Sequence, residues 1–294
     1  MVSNLTKRLG VLVGSAMLAF LAPAAAQAPL APPPAPQPQE VDVSLVLCVD
    51  VSASIDYQEA ELQRKGLVDA FLNKDVIQAI RSGSLGRIGV SVVYFSSKDY
   101  GYMSIPVNWM VVEDERSAQA FIEALVSARR PSARGTSISD ALEYAMRQFQ
   151  TGPFHAFKEV IDVSGDGVNN AGKPVETVRD EVLAKGITIN ALPIINDSTP
   201  QDLDKYFEGC VTGGPASFVI PANGFVDFAR AIRRKLILEI SGLTPAEMPD
   251  PRDYIIRVAD QGTPARPVLP RRFQNNNPRY AGGCDLQTFG GFGR

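Results

Sequence analysis

Five oxygen-bearing residues, in three separate stretches of the chain, carry the chemistry of this sequence. Asp50, Ser52 and Ser54 form D-x-S-x-S directly after an apolar run, Thr136 lies in Arg134-Gly135-Thr136-Ser137, and Asp166 lies in Ser164-Gly165-Asp166-Gly167. Two carboxylates and three hydroxyls are hard, all-oxygen donors, the set that suits Mg²⁺, with Mn²⁺ or Ca²⁺ as alternatives. The carboxylates balance a divalent charge, the neutral hydroxyls fill other positions, and an octahedral ion keeps one place for an outside oxygen. An Asp or Glu side chain of a protein partner is the natural donor for that place. Taken one at a time, such residues more often cap helices and turns, so the reading depends on what brings them together.

The elements that must do so follow from the hydropathy pattern. Val43, Leu45, Val46, Leu47, Cys48 and Val49 make a nearly unbroken apolar run, as in a parallel strand covered on both faces. Asp56 and Glu59 are spaced as a capping box for the helix that follows, with Leu62, Leu67, Val68, Phe71 and Leu72 as its apolar face. The pattern predicts further strands at 88–95, within 103–112, and at 160–163, 187–195 and 218–220, with helices at 118–128, 139–149 and 175–184. Phe225, Phe228, Ala229, Ile232, Leu236 and Ile240 mark a last amphipathic helix, whose Arg233, Arg234 and Lys235 are read as its solvated face. This alternation predicts an α/β fold over residues 41–242: a doubly wound, mostly parallel sheet with helices on both faces. In such sheets the functional crevice lies beyond the carboxyl ends of the strands. All five donors fall there.

In order and in strand context, Asp50, Ser52, Ser54, Thr136 and Asp166 match the five positions of the metal-ion-dependent adhesion site of von Willebrand factor type A domains. The chain resembles that superfamily over residues 41–242. Val163-Ser164-Gly165-Asp166-Gly167 and Arg233-Arg234-Lys235-Leu236 further resemble a bacterial group of exported proteins of this fold. The resemblance implies direct ligation by Ser52 and Ser54, and ligation directly or through water by Thr136, Asp50 and Asp166. It implies binding of a protein ligand without catalysis, and coupling between ligand binding, the Thr136 loop and the last helix. Two other readings use the same pocket. A metal-dependent hydrolase needs a general acid or base beside the ion, and Asp162, which interrupts the apolar run Val160-Ile161-Val163, is the one extra candidate, on a buried strand that restricts access to it. The same residue also reads as a structural hydrogen-bonding group. The other reading is a metal-free envelope scaffold.

The ends of the chain read differently from its middle. Lys7 and Arg8, the apolar stretch 11–22 and Ala24-Ala25-Ala26 have the order of a secretory signal over residues 1–26. The apolar stretch is shorter than the ~20 residues a spanning helix needs, so the mature chain is expected to be periplasmic or secreted, with no transmembrane span. Residues 27–40 form a proline-rich linker that favours extended polyproline II, and 243–294 read as an irregular tail in which Tyr254–Val258 is the one plausible strand.

Composition removes several function classes. The 29 Lys and Arg stand against 32 Asp and Glu, and losing Lys7 and Arg8 makes the chain more acidic, which argues against a nucleic-acid-coating protein. His155 is the only histidine, so no H-E-x-x-H site exists, and no C-x-x-C pair is present. His155 itself reads as a loop or strand-edge residue. Gly167 to Lys173 spells G-x-x-x-x-G-K, but Pro174 stands where a phosphate loop needs Ser or Thr. Cys48 is expected to be a buried thiol, and Cys210 and Cys284 are disulfide candidates, a pairing that sequence leaves open.

Overall fold

Strand β1 (Gln39–Asp50) holds the apolar run and is the hub of the sheet. It pairs in parallel with β2 (Ile88–Phe95) on one side and with β4 (Phe154–Gly165) on the other, so both of its faces need helical cover. Beyond β4 come β5 (Thr188–Ile195) and the short β6 (Ala222–Asn223); at the opposite edge β3 (Met103–Val112) lies antiparallel on β2. The order of this computed structural model, which describes residues 38–97, 103–248 and 283–284, is β3-β2-β1-β4-β5-β6. The winding reverses between β1 and β4, and at such a switch point a crevice opens at the carboxyl ends of the strands.

Helices α1 (Tyr57–Phe71), α2 (Lys74–Arg81), α3 (Glu115–Ser127) and α7 (Phe228–Ser241) cover one face, where Leu45, Leu47, Phe71, Phe121, Phe228 and Leu236 share a core. On the other face, α4 (Ile138–Thr151), α5 (Val175–Leu183) and α6 (Leu203–Tyr206), with a π-helical turn at Phe207–Val211, pack on Val46, Cys48 and Ile161. Each fully buried side chain of this size contributes roughly 1.5–3 kcal/mol relative to exposure. α1 starts on the expected capping box: Asp56 accepts the Glu59 N–H at 2.8 Å, and Glu59 accepts the Asp56 N–H at 3.0 Å. Gly66 lets α1 and α7 meet, because a Cβ there would lie 2.5 Å from the Phe228 ring.

Several expectations need correction. β4 starts at Phe154, not Val160: its first half is anchored by pairing with β1 and alternates in exposure, so it lacks a continuous apolar signal. His155 lies in that half and is exposed. β1 takes in Gln39 and Glu40 from the segment read as linker, because Phe154 and His155 pair with them. Helix α2, capped by Asn73, was not anticipated. At 218–220 only a bridge from Val219 to Ala191 forms, and the last strand is β6. Cys210 is disulfide-bonded to Cys284, and Cys48 is a buried free thiol. The signal segment 1–26, most of the linker and Tyr254–Val258 lie outside the described residues.

The largest correction concerns Lys235. It faces the sheet, fully buried, with its Nζ 2.8 Å from Asp162 Oδ1 and 2.5 Å from Glu239 Oε1. Asn190 donates to the same Glu239 oxygen at 2.8 Å, and the Lys235 ammonium lies 5.7 Å from the Phe218 ring centre. Two buried carboxylates share one ammonium, and Asp162 Oδ2 has no hydrogen-bond partner. Burial raises the proton affinity of Asp162, Lys235 opposes that rise and Glu239 adds to it.

Lys235→Met removes the ammonium that two buried carboxylates share and should cost about 3–5 kcal/mol in urea unfolding. Asp162→Asn leaves a balanced Lys235–Glu239 pair and should be far milder. A raised acid stabilises the fold fully below the unfolded value, near pH 4, and the contribution is lost as pH rises through the folded value. Asp162→Asn should therefore gain stability relative to the native chain as pH rises above 4; parallel pH profiles would contradict this.

Candidate metal centre

The five donors sit at the switch point. Asp50 is the last residue of β1, Ser52 and Ser54 follow in the turn to α1, Thr136 precedes α4, and Asp166 follows the last residue of β4. Asp50 Oδ1 accepts the Ser52 N–H at 2.7 Å, folding the turn back on the carboxylate. Ser52 and Ser54 hydroxyls lie 2.9 Å apart, and Ser54 Oγ donates to Asp166 Oδ1 at 2.9 Å. Four of the motif residues thus form one connected polar chain across β1 and β4. Ser54 is exposed while Asp50, Ser52, Thr136 and Asp166 are buried, so the cluster opens to solvent on one side.

Thr136 is brought in by a separate set of contacts. Gly135 adopts a left-handed conformation, φ 77°, that a side chain would resist. Asn170 Oδ1 accepts the Thr136 N–H at 2.7 Å and the Asn170 N–H donates to the Thr136 carbonyl at 2.8 Å, while Asn169 Oδ1 accepts the Ser139 N–H at 3.0 Å. This double clamp ties the Thr136 loop to the segment after Asp166. A Cβ at Gly167 would lie 3.6 Å from Thr136 Oγ1, which places the hydroxyl against that turn. On the far side Ala133 bridges Ser52, and Arg130 donates to the Asp50 carbonyl at 3.0 Å and to Gln63 Oε1 at 3.1 Å. Sequence reasoning missed Asn169, Asn170 and Arg130. The adjacent asparagines just after Gly167 were a turn signal; Arg130 had none, because its partners are distant in sequence.

The electrostatics of the cluster are set by burial and by two neighbouring carboxylates. Asp50 Oδ2 is buried and has no hydrogen-bond partner. Burial, then the nearby Asp166, push the Asp50 carboxyl up to about 7 against the pull of Ser52 and of Arg130, and burial likewise raises Asp166 against the hydrogen bond from Ser54 and the charge of Arg130. A buried, unpartnered carboxylate oxygen beside a second carboxylate and two hydroxyls fits a hard divalent ion. Among the described residues no group of three or more His, Cys, Asp or Glu side chains could hold a metal, so the hydroxyls are indispensable to this donor set.

Fold and motif together define an α/β domain of the von Willebrand factor A type. A family model described as protein of unknown function (DUF1194) matches residues 40–244, and the chain belongs to that family. Among solved structures it is similar to proximal thread matrix protein 1 from the mussel byssus, at 17% identity and TM-score 0.50 over 69% of this chain and 47% of that one. It is also similar to the pilus adhesin SpaC of Lactobacillus rhamnosus GG, at 16% identity and TM-score 0.50 over 70% of this chain and 31% of that one. The chain thus spans less than half of either protein, and the likeness concerns the fold. No curated protein matches it.

The close approach of β4 to Asp50 gives a local test. A Cβ at Gly165 would lie 2.8 Å from Asp50 Oδ2. Gly165→Ala should displace that carboxylate and cost about 1–3 kcal/mol by overpacking, read by urea unfolding. Unchanged stability would show that the carboxylate is not held where the structure places it.

Proposed function

We propose that this chain is an exported binding domain that captures a protein partner through a divalent metal held by Asp50, Ser52, Ser54, Thr136 and Asp166. The observation that carries the proposal is the buried Asp50 Oδ2, which has no hydrogen-bond partner, on a carboxylate that feels the charge of Asp166. Mg²⁺ fits an all-oxygen site of this kind, and Mn²⁺ or Ca²⁺ would occupy the same donors. When bound, such an ion supplies an electrophilic coordination position for an outside carboxylate.

The chain's own residues do the rest. The Ser52 N–H holds Asp50, Ser54 holds Asp166, and the Asn170 clamp fixes Thr136, so the donors are positioned before a ligand arrives. The exposed Ser54 edge leaves room for a side chain of the partner. Binding is favoured over hydrolysis because Asp162, the one extra carboxylate named for acid–base work, is sealed against Lys235 and Glu239. Export rests on the sequence of residues 1–26, and among the described residues no helix is long and apolar enough to cross a membrane. A fold shared with a pilus adhesin supports a role at the cell envelope or outside it.

Thermal unfolding in EDTA, Mg²⁺, Mn²⁺ or Ca²⁺ tests the proposal. Metal at 100 times its dissociation constant should add about 2.7 kcal/mol, and Asp50→Ala and Asp166→Ala should abolish the gain. No stabilisation at saturating metal would refute metal binding by the free chain and favour the scaffold reading.

A further inference from the structure

β4 is longer than the strand beside it. Residues 154–158 pair with β1 on one side, from Gln39 with Phe154 to Val43 with Lys158, whereas pairing with β5 begins only at Val160 with Thr188. Among the described residues, no strand lies along the other edge of 154–159. An open groove of about 520 Å³, lined by Phe157, Glu159, Gly186 and Pro215 among others, runs beside it. Such an edge presents free N–H and C=O groups and is a template for another extended chain. On one face His155 and Phe157 are exposed, Phe157 at 71%, and Glu159 is half-buried. The exposed Phe157 ring gives this open edge an apolar anchor for a partner strand.

We propose that a second copy of this chain covers it, through antiparallel pairing of the two β4 edges about a two-fold axis at Phe157. The sequence of this edge is self-complementary in that register alone. Phe157 stands opposite Phe157 of the partner subunit, and His155 stands opposite Glu159 of the partner subunit, a contact repeated on the other side of the axis. Directly opposed side chains in an antiparallel pair have Cβ atoms about 4.5–5.5 Å apart, close enough for ring packing and an imidazole–carboxylate hydrogen bond. Centring on Lys158 would oppose two ammonium groups, and centring on Ala156 would leave Glu159 without its imidazole. Glu159 is the last free residue before β5 and its opposite number is His155, so the pairing spans His155 to Glu159 of each copy.

This interface does not depend on the metal centre but gives it a geometry. Antiparallel β4 strands point their carboxyl ends in opposite directions. Asp166 lies nine residues beyond Phe157, or about 30 Å from the axis at ~3.3 Å per residue. The two candidate metal centres would sit about 60 Å apart at opposite ends, a bivalent bridge between two ligands rather than a double grip on one. So short an edge falls below the roughly 1,000 Å² of a stable interface, and the dimer is expected to be weak and reversible.

Sedimentation velocity of the full chain over a wide concentration range tests this, with circular dichroism to verify the fold of every variant. The native chain should show a concentration-dependent dimer. His155→Glu and Glu159→Lys should each raise its dissociation constant about tenfold, since each change is felt twice across the axis. The double variant His155→Glu/Glu159→Lys should recover the dimer by exchanging the charges, and Phe157→Lys should abolish it. A monomer at all concentrations, a dimer indifferent to the single changes, or a double variant no better than either would overturn the proposal. The first is also the result expected if another segment or another protein occupies the edge.

Discussion

Two carboxylates from neighbouring strands meet at the carboxyl end of this sheet, and one has an oxygen that is buried and unpartnered. That is an unfavourable arrangement for two ionised groups unless a positive charge or a proton completes it. The topology forces the meeting. β1 and β4 are adjacent, parallel and in register to their ends, with Val49 beside Ser164, so Asp50 and Asp166 emerge together where the winding reverses. Gly165 then admits the Asp50 carboxylate at a distance no side chain would tolerate. The surrounding loops accommodate this pair: the serine turn folds over it, and the Asn170 clamp brings Thr136 alongside.

A second buried charge cluster lies on the same strand. Asp162 is four residues before Asp166 and joins Lys235 and Glu239 of α7, so the last helix is tied by charge to the strand that presents the candidate metal centre. Buried ion clusters add little net stability over well-packed apolar groups, but breaking them is costly. Here the cluster joins α7 to β4 by charge in addition to the apolar stripe of α7. Asn190 extends the network to β5, where it also accepts the Phe218 N–H at 3.0 Å.

Much of this was legible in residue order. The central strand, the capping box of α1 and the five donors could be placed because each depends on local spacing and on which strand precedes which loop. What local pattern could not supply was pairing. Asp162 interrupts a buried strand, and Lys235 falls three residues after Ile232, on the apolar stripe of α7; each anomaly was visible alone, but only the packing of α7 on β4 joins them. The first half of β4 was invisible for a related reason, since its order comes from β1 and not from an apolar run of its own. Arg130 and the asparagine clamp likewise act across the fold, where spacing carries no information. Helix α2 was lost because its eight residues are too short for a periodic signal.

Whether the five donors hold one metal ion is the point on which the functional account stands. Anomalous diffraction from crystals of the chain grown with Mn²⁺ addresses it directly. The account predicts a single strong peak bounded by Asp50, Ser52, Ser54, Thr136 and Asp166. A peak elsewhere, or none in crystals of a chain saturated with Mn²⁺ in solution, would contradict it.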